Sequence, residues 1–206
     1  MKVSKAKAIE NREGIVEAAA RLYREKGFNG VGVAEITRDA GLTHGGLYRH
    51  FESRDALARE ACLRAFEWTI ALTDNLAQAD PEPNSEETSA ARLRAMVRSY
   101  LSVNHRDHPG EGCPAAALAV DAARADRGMS EAFAQGVELN IQRFMAILQG
   151  DDADRRTQTI ATLSSMVGAL VLARATAAGD PALSQEILTT MRQHLAPGVD
   201  AGDSPA

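Results

Sequence analysis

Nitrogen and hydroxyl donors gather in a short stretch near residue 45. From His44 to His50 the sequence reads HGGLYRH, which holds two imidazoles, a phenol and a guanidinium and no carboxylate. If Leu47 and Phe51 form the buried stripe of a helix here, the donors share its exposed face. Such donors suit the phosphates and base edges of nucleic acid. The stretch therefore predicts a nucleic-acid contact surface.

A second chemically rich stretch is HRDHPGEGC, which contains His105, Asp107, His108, Glu111 and Cys113. Its spacing is unlike that of structural zinc sites, which need four ligands in short pairs. A nucleophilic Cys, His and Asp triad is conceivable on these residues, but no signature of an oxyanion hole or substrate pocket accompanies it. A polar connection between two helices is the simpler interpretation. We therefore expect no metal, no cofactor and no enzyme activity.

The donor surface near residue 45 needs a pair of helices to hold it. Apolar residues recur at i, i+3 and i+7 from Val33 to Ala40, and Gly41 follows as a stop signal. Thr43 is a good N-cap for the second helix. The spacing predicts a helix-turn-helix, although any pair of packed apolar helices has the same periodicity.

The string GLTHGGLYRHFESRDAL, from Gly41 to Leu57, resembles the signature of TetR-type transcriptional regulators. In that family a short recognition helix ends in a leucine, a tyrosine and a phenylalanine before a basic residue. Two positions depart from the family pattern: Gly32 stands where a threonine or serine usually touches phosphate, and Gly46 replaces a larger residue. Upstream residues resemble the family's first two helices, namely Ile15, Ala18, Ala19, Leu22, Tyr23, Lys26, Gly27, Phe28, Ile36 and Ala40.

This resemblance implies an all-α fold of about nine helices, in agreement with the absence of any strand pattern. Residues 1–57 would form a three-helix helix-turn-helix DNA-binding domain, and residues 58–206 an effector-binding and dimerisation domain. The implied function is a ligand-responsive repressor that binds palindromic double-stranded operator DNA as a homodimer and is released by a small-molecule effector. The residues expected to contact DNA are Arg38, Thr43, His44, Gly45, Tyr48, Arg49, His50 and Arg54.

Within that set the roles differ. His44 and Gly45 stand at the start of the recognition helix, whose first residues reach deepest into the major groove, so we expect them at base edges. Thr43, Tyr48, His50 and Arg54 are expected to hold phosphates, and Arg49 could do either.

Charge is distributed unevenly along the chain. Residues 1–60 carry a formal net charge of +2, whereas residues 61–206 carry −7, which gives −5 overall. An acidic protein still binds DNA if its positive charge is gathered on one face. Lys2, Lys5 and Lys7 lie on a tail that is either a basic arm beside the duplex or a disordered solubilising terminus.

Helix signals continue to the end of the chain. Ser53 caps a connecting helix that runs towards Leu76, Pro114 begins another helix, and a Gly, Asp and Pro turn at residues 179–181 separates the last two. The other expected features are a turn over Ala79–Ser89, a helix from Leu93 to Asn104, a helix capped by Ser130 and ended by Gly150, and helices from Ile160 and from Leu183 to Leu195.

Two sets of residues follow from the resemblance in the second domain. The effector-pocket candidates are mainly apolar side chains with a few polar ones, a combination that ordinary protein cores also contain. They are Trp68, Tyr100, Asn104, Cys113, Phe133, Asn140 and Phe144. The helix around MVGALVLA is apolar nearly all round, so a second subunit is the natural cover. The dimer candidates are Leu163, Val167, Leu170, Arg174, Leu183, Ile187 and Met191.

Cys62 and Cys113 are the only cysteines. No signal-peptide pattern and no apolar run of roughly 18 residues occurs, so we expect a cytoplasmic protein with no membrane contact and no disulfide. Cys113 precedes Pro114 at a helix start, which favours a thiolate, whereas Asp107 and Glu111 oppose one. Some TetR-type regulators sense electrophiles or oxidants through a cysteine in the middle of the effector domain. The alternatives are thus a redox-sensing regulator, a structural cysteine, or an enzyme that uses this loop.

Overall fold

The computed structural model describes residues 4–42, 44–67, 86–148 and 151–197. Within these residues it contains nine α-helices, two short 3-10 helices and no strand, which confirms the all-α class. The α-helices are α1 (Lys5–Lys26), α2 (Val33–Asp39), α3 (Arg54–Phe66), α4 (Glu86–Tyr100), α5 (Val103–Asp107), α6 (Pro114–Arg124), α7 (Arg127–Met145), α8 (Asp152–Thr176) and α9 (Pro181–Leu195). The 3-10 helices are His44–Arg49 and Pro109–Glu111.

The chain divides into two compact units. The first comprises Met1–Trp68 and Pro109–Val137, and the second comprises Thr69–His108 and Glu138–Ala206, so α7 contributes to both. This division by spatial proximity differs from the functional boundary at residue 57, which stays a prediction.

The first unit is built around α1, which contacts α2, α3, α6 and the 3-10 helix Pro109–Glu111. Its predicted apolar stripe is confirmed, since Ile15, Ala19 and Leu22 are buried. Gly27 ends the helix with a positive φ of 75° and donates its N–H to the Tyr23 carbonyl. Because Ser4 caps the helix, Lys5 and Lys7 belong to α1, so the alternative of a disordered terminus was wrong for these two residues, and the basic arm beside the duplex stays a prediction.

Helix caps account for the start of α6 and α7 in the same unit. Pro114 is the first residue of α6 and Cys113 its N-cap, as predicted. The predicted cap of α7 was wrong, because Ser130 lies within that helix. The Asp126 carboxylate instead accepts a hydrogen bond from the backbone N–H of Met129 at 2.8 Å. Both residue types cap helices well, and the helix starts at the earlier one.

In the second unit α9 packs on α8 and α4, and α5 packs on α8. The core includes Met96, Leu101, Met166, Leu170 and Leu188, all buried. Two predicted boundaries were wrong here. The segment 86–89, expected in a turn, is helical, and the helix expected to reach Asn104 ends at Tyr100, because Ser102 caps the separate helix α5. The predicted stop at Gly150 lies outside the described residues.

Helix α8 begins well before the predicted start at Ile160. Asp151 caps it by accepting hydrogen bonds from the backbone N–H groups of Ala153 and Asp154, both at 3.0 Å. It has 25 residues and a mean hydropathy of 1.4 in its most apolar window, so length and composition alone would let it cross a membrane. Its residues Leu163 and Ala173 are buried inside the second unit, as a core helix requires.

Candidate nucleic-acid interface

The 3-10 helix His44–Arg49 lies at the surface of the first unit and is anchored by its apolar side. Leu47 is fully buried and Phe51 nearly so, whereas Tyr48 is 60% exposed. Arg49 is exposed as well. The predicted separation into a buried stripe and a donor face is thus present for these four residues, and a large aromatic ring with a hydroxyl projects into solvent.

This segment is a 3-10 helix and not the α-helix expected from its apolar spacing. Gly45 and Gly46 occupy its first half, and glycine destabilises an α-helix because its backbone loses the most freedom on ordering. A Cβ at Gly46 would meet only the Leu42 side chain, at 3.9 Å, so space does not require glycine there. The two glycines therefore disfavour an α-helix in the first turn, and the segment forms a short 3-10 helix.

Helix α2 packs against the 3-10 helix His44–Arg49. Ile36 is fully buried, and the Thr37 hydroxyl donates to the Val33 carbonyl at 3.0 Å. Gly41, with a φ of 70°, makes the turn out of α2, as its stop-signal role predicted. Gly32 is the N-cap of α2. Because it has no side chain, it provides neither a capping hydrogen bond nor a hydroxyl at the start of this helix.

Arg54, at the start of α3, bonds backbone within the first unit. Its Nη2 donates hydrogen bonds to the backbone carbonyls of Phe28 and Val31, the latter at 3.2 Å. Burial raises the pKa of the neighbouring Tyr23 phenol, and the Arg54 charge opposes that shift. Arg54 therefore braces the connection between α1 and α2, and its expected phosphate contact stays a prediction.

The remaining predicted DNA contacts are distributed as follows. Arg38 is exposed on α2 and His50 is half-buried. The backbone of His44 and Gly45 begins the 3-10 helix, and Thr43 lies outside the described residues.

Ion pairs hold the helices beneath this surface together. Arg12 on α1 binds Glu60 on α3 through two hydrogen bonds of 2.5 and 2.6 Å. Its guanidinium also lies 4.7 Å from the centre of the Phe51 ring, where a cation is attracted to the aromatic face. These bonds raise the pKa of Arg12. Two further pairs, Arg21 with Asp39 at 2.6 Å and Lys26 with Glu35 at 2.5 Å, join α1 to α2.

Arg24 is a buried cation that sequence reasoning missed. It is only 9% exposed and donates to the carbonyls of Ala65 and Gly112, each at 3.3 Å. Burial lowers its pKa, and the negative charge of Glu17 partly opposes that shift. The sequence signal for its burial was the position of Arg24, one residue after buried Tyr23 on the apolar side of α1. Arg24 thereby ties α1 to the end of α3 and to the residue before Cys113.

The predicted effector residues belong to both units. Cys113 and Phe133 belong to the first unit, where the Phe133 ring lies edge-on to Phe66 at 5.4 Å. Asn104 is exposed on α5, and its place in a pocket wall stays a prediction. Tyr100, Asn140 and Phe144 are buried in the second unit, and Trp68 lies outside the described residues.

The polar loop from residue 105 to 113 uses its histidines structurally. The Nδ1 atom of His105 lies 2.7 Å from the Tyr100 carbonyl, and the two rings meet edge-on at 4.7 Å. His108 Nδ1 lies 2.9 Å from the Asn104 carbonyl. Across the described residues no three His, Cys, Asp or Glu side chains come together as metal ligands would.

The predicted dimer residues divide between core and surface. Leu163 and Leu170 are buried within their own chain, and Arg174 donates to the carbonyls of His105 and Arg106 at 2.7 and 3.1 Å. A helix that is apolar all round also covers the core of its own chain, and the expectation that these three residues face a second subunit stays a prediction. Leu183, Ile187 and Met191 instead line an open, mainly apolar groove of about 330 Å³ between α8 and α9, together with Leu172.

Comparison with known proteins agrees with this geometry. Residues 15–61 match the family model for bacterial regulatory proteins of the tetR family. An HTH-type transcriptional regulator of Mycobacterium tuberculosis is 29% identical over 177 residues, which cover 79% of this chain and 84% of the relative. The HTH-type transcriptional repressor BepR of Brucella suis is 43% identical over 54 residues, 26% of each chain.

The matches to curated regulators of Bacillus subtilis are shorter, and the chain spans about a third to a half of their length. A solved structure extends the likeness to the whole fold. The TetR family transcriptional regulator of Cytophaga hutchinsonii aligns over 95% of this chain and 97% of its own, with a TM-score of 0.73 and 20% identity.

Proposed function

Because this chain belongs to the TetR family of bacterial transcriptional regulators, we propose that it is a ligand-responsive repressor that binds palindromic operator DNA as a homodimer. The observation that carries the proposal is the 3-10 helix His44–Arg49, with Leu47 buried beneath it and Tyr48 and Arg49 exposed. A rigid anchor under a donor-rich face is what major-groove recognition requires. The similarity of this chain to the repressor BepR supports repression in preference to activation.

The roles of the contact residues follow from their positions. His44 and Gly45, at the start of the 3-10 helix, approach base edges. Tyr48 and His50, with Thr43, hold phosphates, and the exposed guanidiniums of Arg38 and Arg49 add positive charge beside them. The experiment is selection of bound sequences from random double-stranded DNA by the purified protein. We expect an enriched palindrome, and no enriched sequence would contradict the proposal.

His44→Ala tests the proposed reading of bases. We expect it to relax the sequence preference at one position of each half-site, because a base contact carries sequence information. Arg38→Ala is the matched control: loss of a phosphate contact weakens binding to all sequences alike and lowers the salt slope by about one unit. An equal loss of preference in both variants would contradict this division of roles.

Homodimerisation is proposed on the basis of the groove between α8 and α9. Leu172 and Leu183 are 58% and 41% exposed at its rim, and apolar side chains of this size gain stability when a second subunit covers them. We expect Leu172→Glu to yield monomers in sedimentation velocity and to abolish operator retention. A Leu172→Glu protein that remained dimeric would place the interface elsewhere.

Release by an effector requires that the ligand bind the DNA-free form more tightly than the DNA-bound form. A ligand that shifts the helices carrying the DNA surface would change the separation of the two recognition segments, about 34 to 36 Å or a multiple in such dimers. Coupling is reciprocal, so operator DNA must weaken ligand affinity by the same factor. A ligand whose affinity is unchanged by saturating operator is not the effector.

A response through Cys113 is a second candidate, favoured by the buried Arg24 guanidinium, which bonds the carbonyl of the preceding residue, Gly112, at 3.3 Å. A neighbouring cation and a helix N-terminus both stabilise a thiolate, although Cys113 is almost fully buried. The test is to titrate the DNA-bound protein with an alkylating quinone and to compare wild type, Cys113→Ser and Cys62→Ser. Release that is lost only in Cys113→Ser supports the candidate, and release that persists there contradicts it.

The curated relatives are transcriptional regulators, so we propose a cytoplasmic regulator and not an enzyme. Turnover of a substrate by purified protein that has no DNA affinity would contradict this assignment.

A further inference from the structure

A small apolar cavity lies inside the second unit, between α4, α7 and α8. Its volume is about 10 Å³, room for at most one water molecule. Among the described residues, only leucine, methionine, phenylalanine and threonine side chains line it, and none of these is ionisable. The lining includes Met96, Phe144, Leu163, Met166, Thr159 and Thr162.

Thr159 is the unusual member of this lining. It is 1% exposed, and its Oγ1 atom has no hydrogen-bond partner. Thr37, Thr157 and Thr176, also in helices, donate to the carbonyl four residues earlier at 2.9 to 3.0 Å. A buried hydroxyl without a partner destabilises the fold, and a native structure that keeps one calls for an explanation.

We propose that this cavity is the effector site and that it takes an uncharged, mainly apolar molecule whose single hydroxyl or carbonyl group pairs with Thr159 Oγ1. The inference rests on the proposed ligand response and specifies the class of ligand. A carboxylate or an amine would lose its hydration here and find no counter-charge among the lining residues. A ligand with one polar group suits this lining, because apart from the hydroxyls of Thr159 and Thr162 it is hydrocarbon and thioether.

The cavity must enlarge to hold such a molecule, and its lining permits this. Met96 and Met166 are buried, and a methionine side chain can rearrange about three rotatable bonds without leaving an apolar environment. Since α4, α7 and α8 all contribute lining residues, a ligand between them increases the separation of these helices. Binding and helix movement in the second unit are therefore one event.

The experiment uses three probes that share an eight-carbon chain and differ in the head group: 1-octanol, octanoate and octylamine. Isothermal titration calorimetry of the DNA-free, full-length protein should give an affinity for 1-octanol about tenfold or more above that for either ion. Thr159→Val should lower the 1-octanol affinity by about fivefold to tenfold, the usual effect of one hydrogen bond.

A second measurement separates this role from a structural one. Ligand-free Thr159→Val should melt at a higher temperature than wild type, since an isosteric methyl replaces an unpaired hydroxyl. Thr157→Val is the matched control on the same helix, because Thr157 is exposed and its hydroxyl is already bonded. It should keep the wild-type affinity for 1-octanol.

Three results would overturn the inference: equal affinity for octanoate or octylamine, full 1-octanol affinity in Thr159→Val, or no binding of 1-octanol up to its solubility limit. Retention of selected operator DNA is measured on the same samples. Loss of DNA binding with the octanol preference intact would refute the proposed function alone. Intact DNA binding without that preference would refute the assignment of the ligand class alone.

Discussion

Arg54→Ala separates a structural role from a DNA contact. Nη2 of Arg54 bonds the carbonyls of Phe28 and Val31, which lie in the connection that sets α2 against α1. A hydrogen bond from a charged donor contributes about 1.5 to 3 kcal/mol. Because the side chain is only half-buried and water can reach the carbonyls after truncation, we take the low end for the pair, about 2 kcal/mol.

That loss is measurable by urea denaturation followed by far-ultraviolet circular dichroism. About 2 kcal/mol raises the unfolded-to-folded ratio roughly 30-fold. With a slope of about 2 kcal/mol per molar urea, the midpoint should fall by about 1 M. Arg54→Lys should lie between the two proteins, because an ammonium keeps the charge but lacks the planar guanidinium fork.

Arg49→Ala is the matched control, since Arg49 is exposed on the 3-10 helix. It should leave the free energy of unfolding within about 0.5 kcal/mol of wild type and weaken operator binding. Arg54→Ala should show the reverse, with an unchanged dependence of DNA affinity on salt. If Arg54→Ala left stability intact and lowered the salt slope by about one unit, Arg54 would be a phosphate contact and our assignment would be wrong.

Three further predictions concern a helix cap, a close contact and a thiol. Gly32→Ser should stabilise the protein by a few tenths of a kcal/mol and strengthen DNA binding, because a Cβ there meets open space and the hydroxyl caps α2; unchanged retention of operator DNA would contradict the second effect. Gly136→Ala should cost about 1 to 3 kcal/mol by thermal melting, since the new Cβ would overlap the Phe66 ring, whereas Gly14→Ala, in open space on α1, should stabilise. Burial raises the pKa of Cys62 to about 12, so stability should fall as pH rises from about 8.5 towards 12, where only the unfolded thiol ionises. Cys62→Ala should reduce that slope in urea titrations at pH 8 and pH 10, and an identical slope would refute the assignment.

Local patterns predicted much of the fold and the donor face. Periodicity located α1, α2 and α9, and the burial of Leu47 beside exposed Tyr48 followed from helical spacing alone. These features depend on residues three or four apart, which sequence displays directly.

The features that sequence reasoning missed depend on distant partners. Arg54 bonds carbonyls 23 and 26 residues earlier, and Arg24 bonds a carbonyl 88 residues later. Backbone carbonyls are the same at every residue, so no side-chain pattern marks these acceptors. The hydroxyl of Thr159 was invisible for a similar reason, since every helical threonine has a local carbonyl within reach and only the structure shows that this one is not used.

The composition of the first unit restricts how this regulator can be recombined with its relatives. Residues 109–137 belong to the same unit as the helices that carry the proposed DNA surface, and Arg24 bonds Gly112 from within α1. A hybrid that joined residues 1–57 to the body of another regulator would take Arg24 away from the carbonyls of Ala65 and Gly112 and place it beside a foreign backbone. The unit that carries the proposed DNA surface is therefore discontinuous in sequence, and exchange by a single crossover would separate its parts.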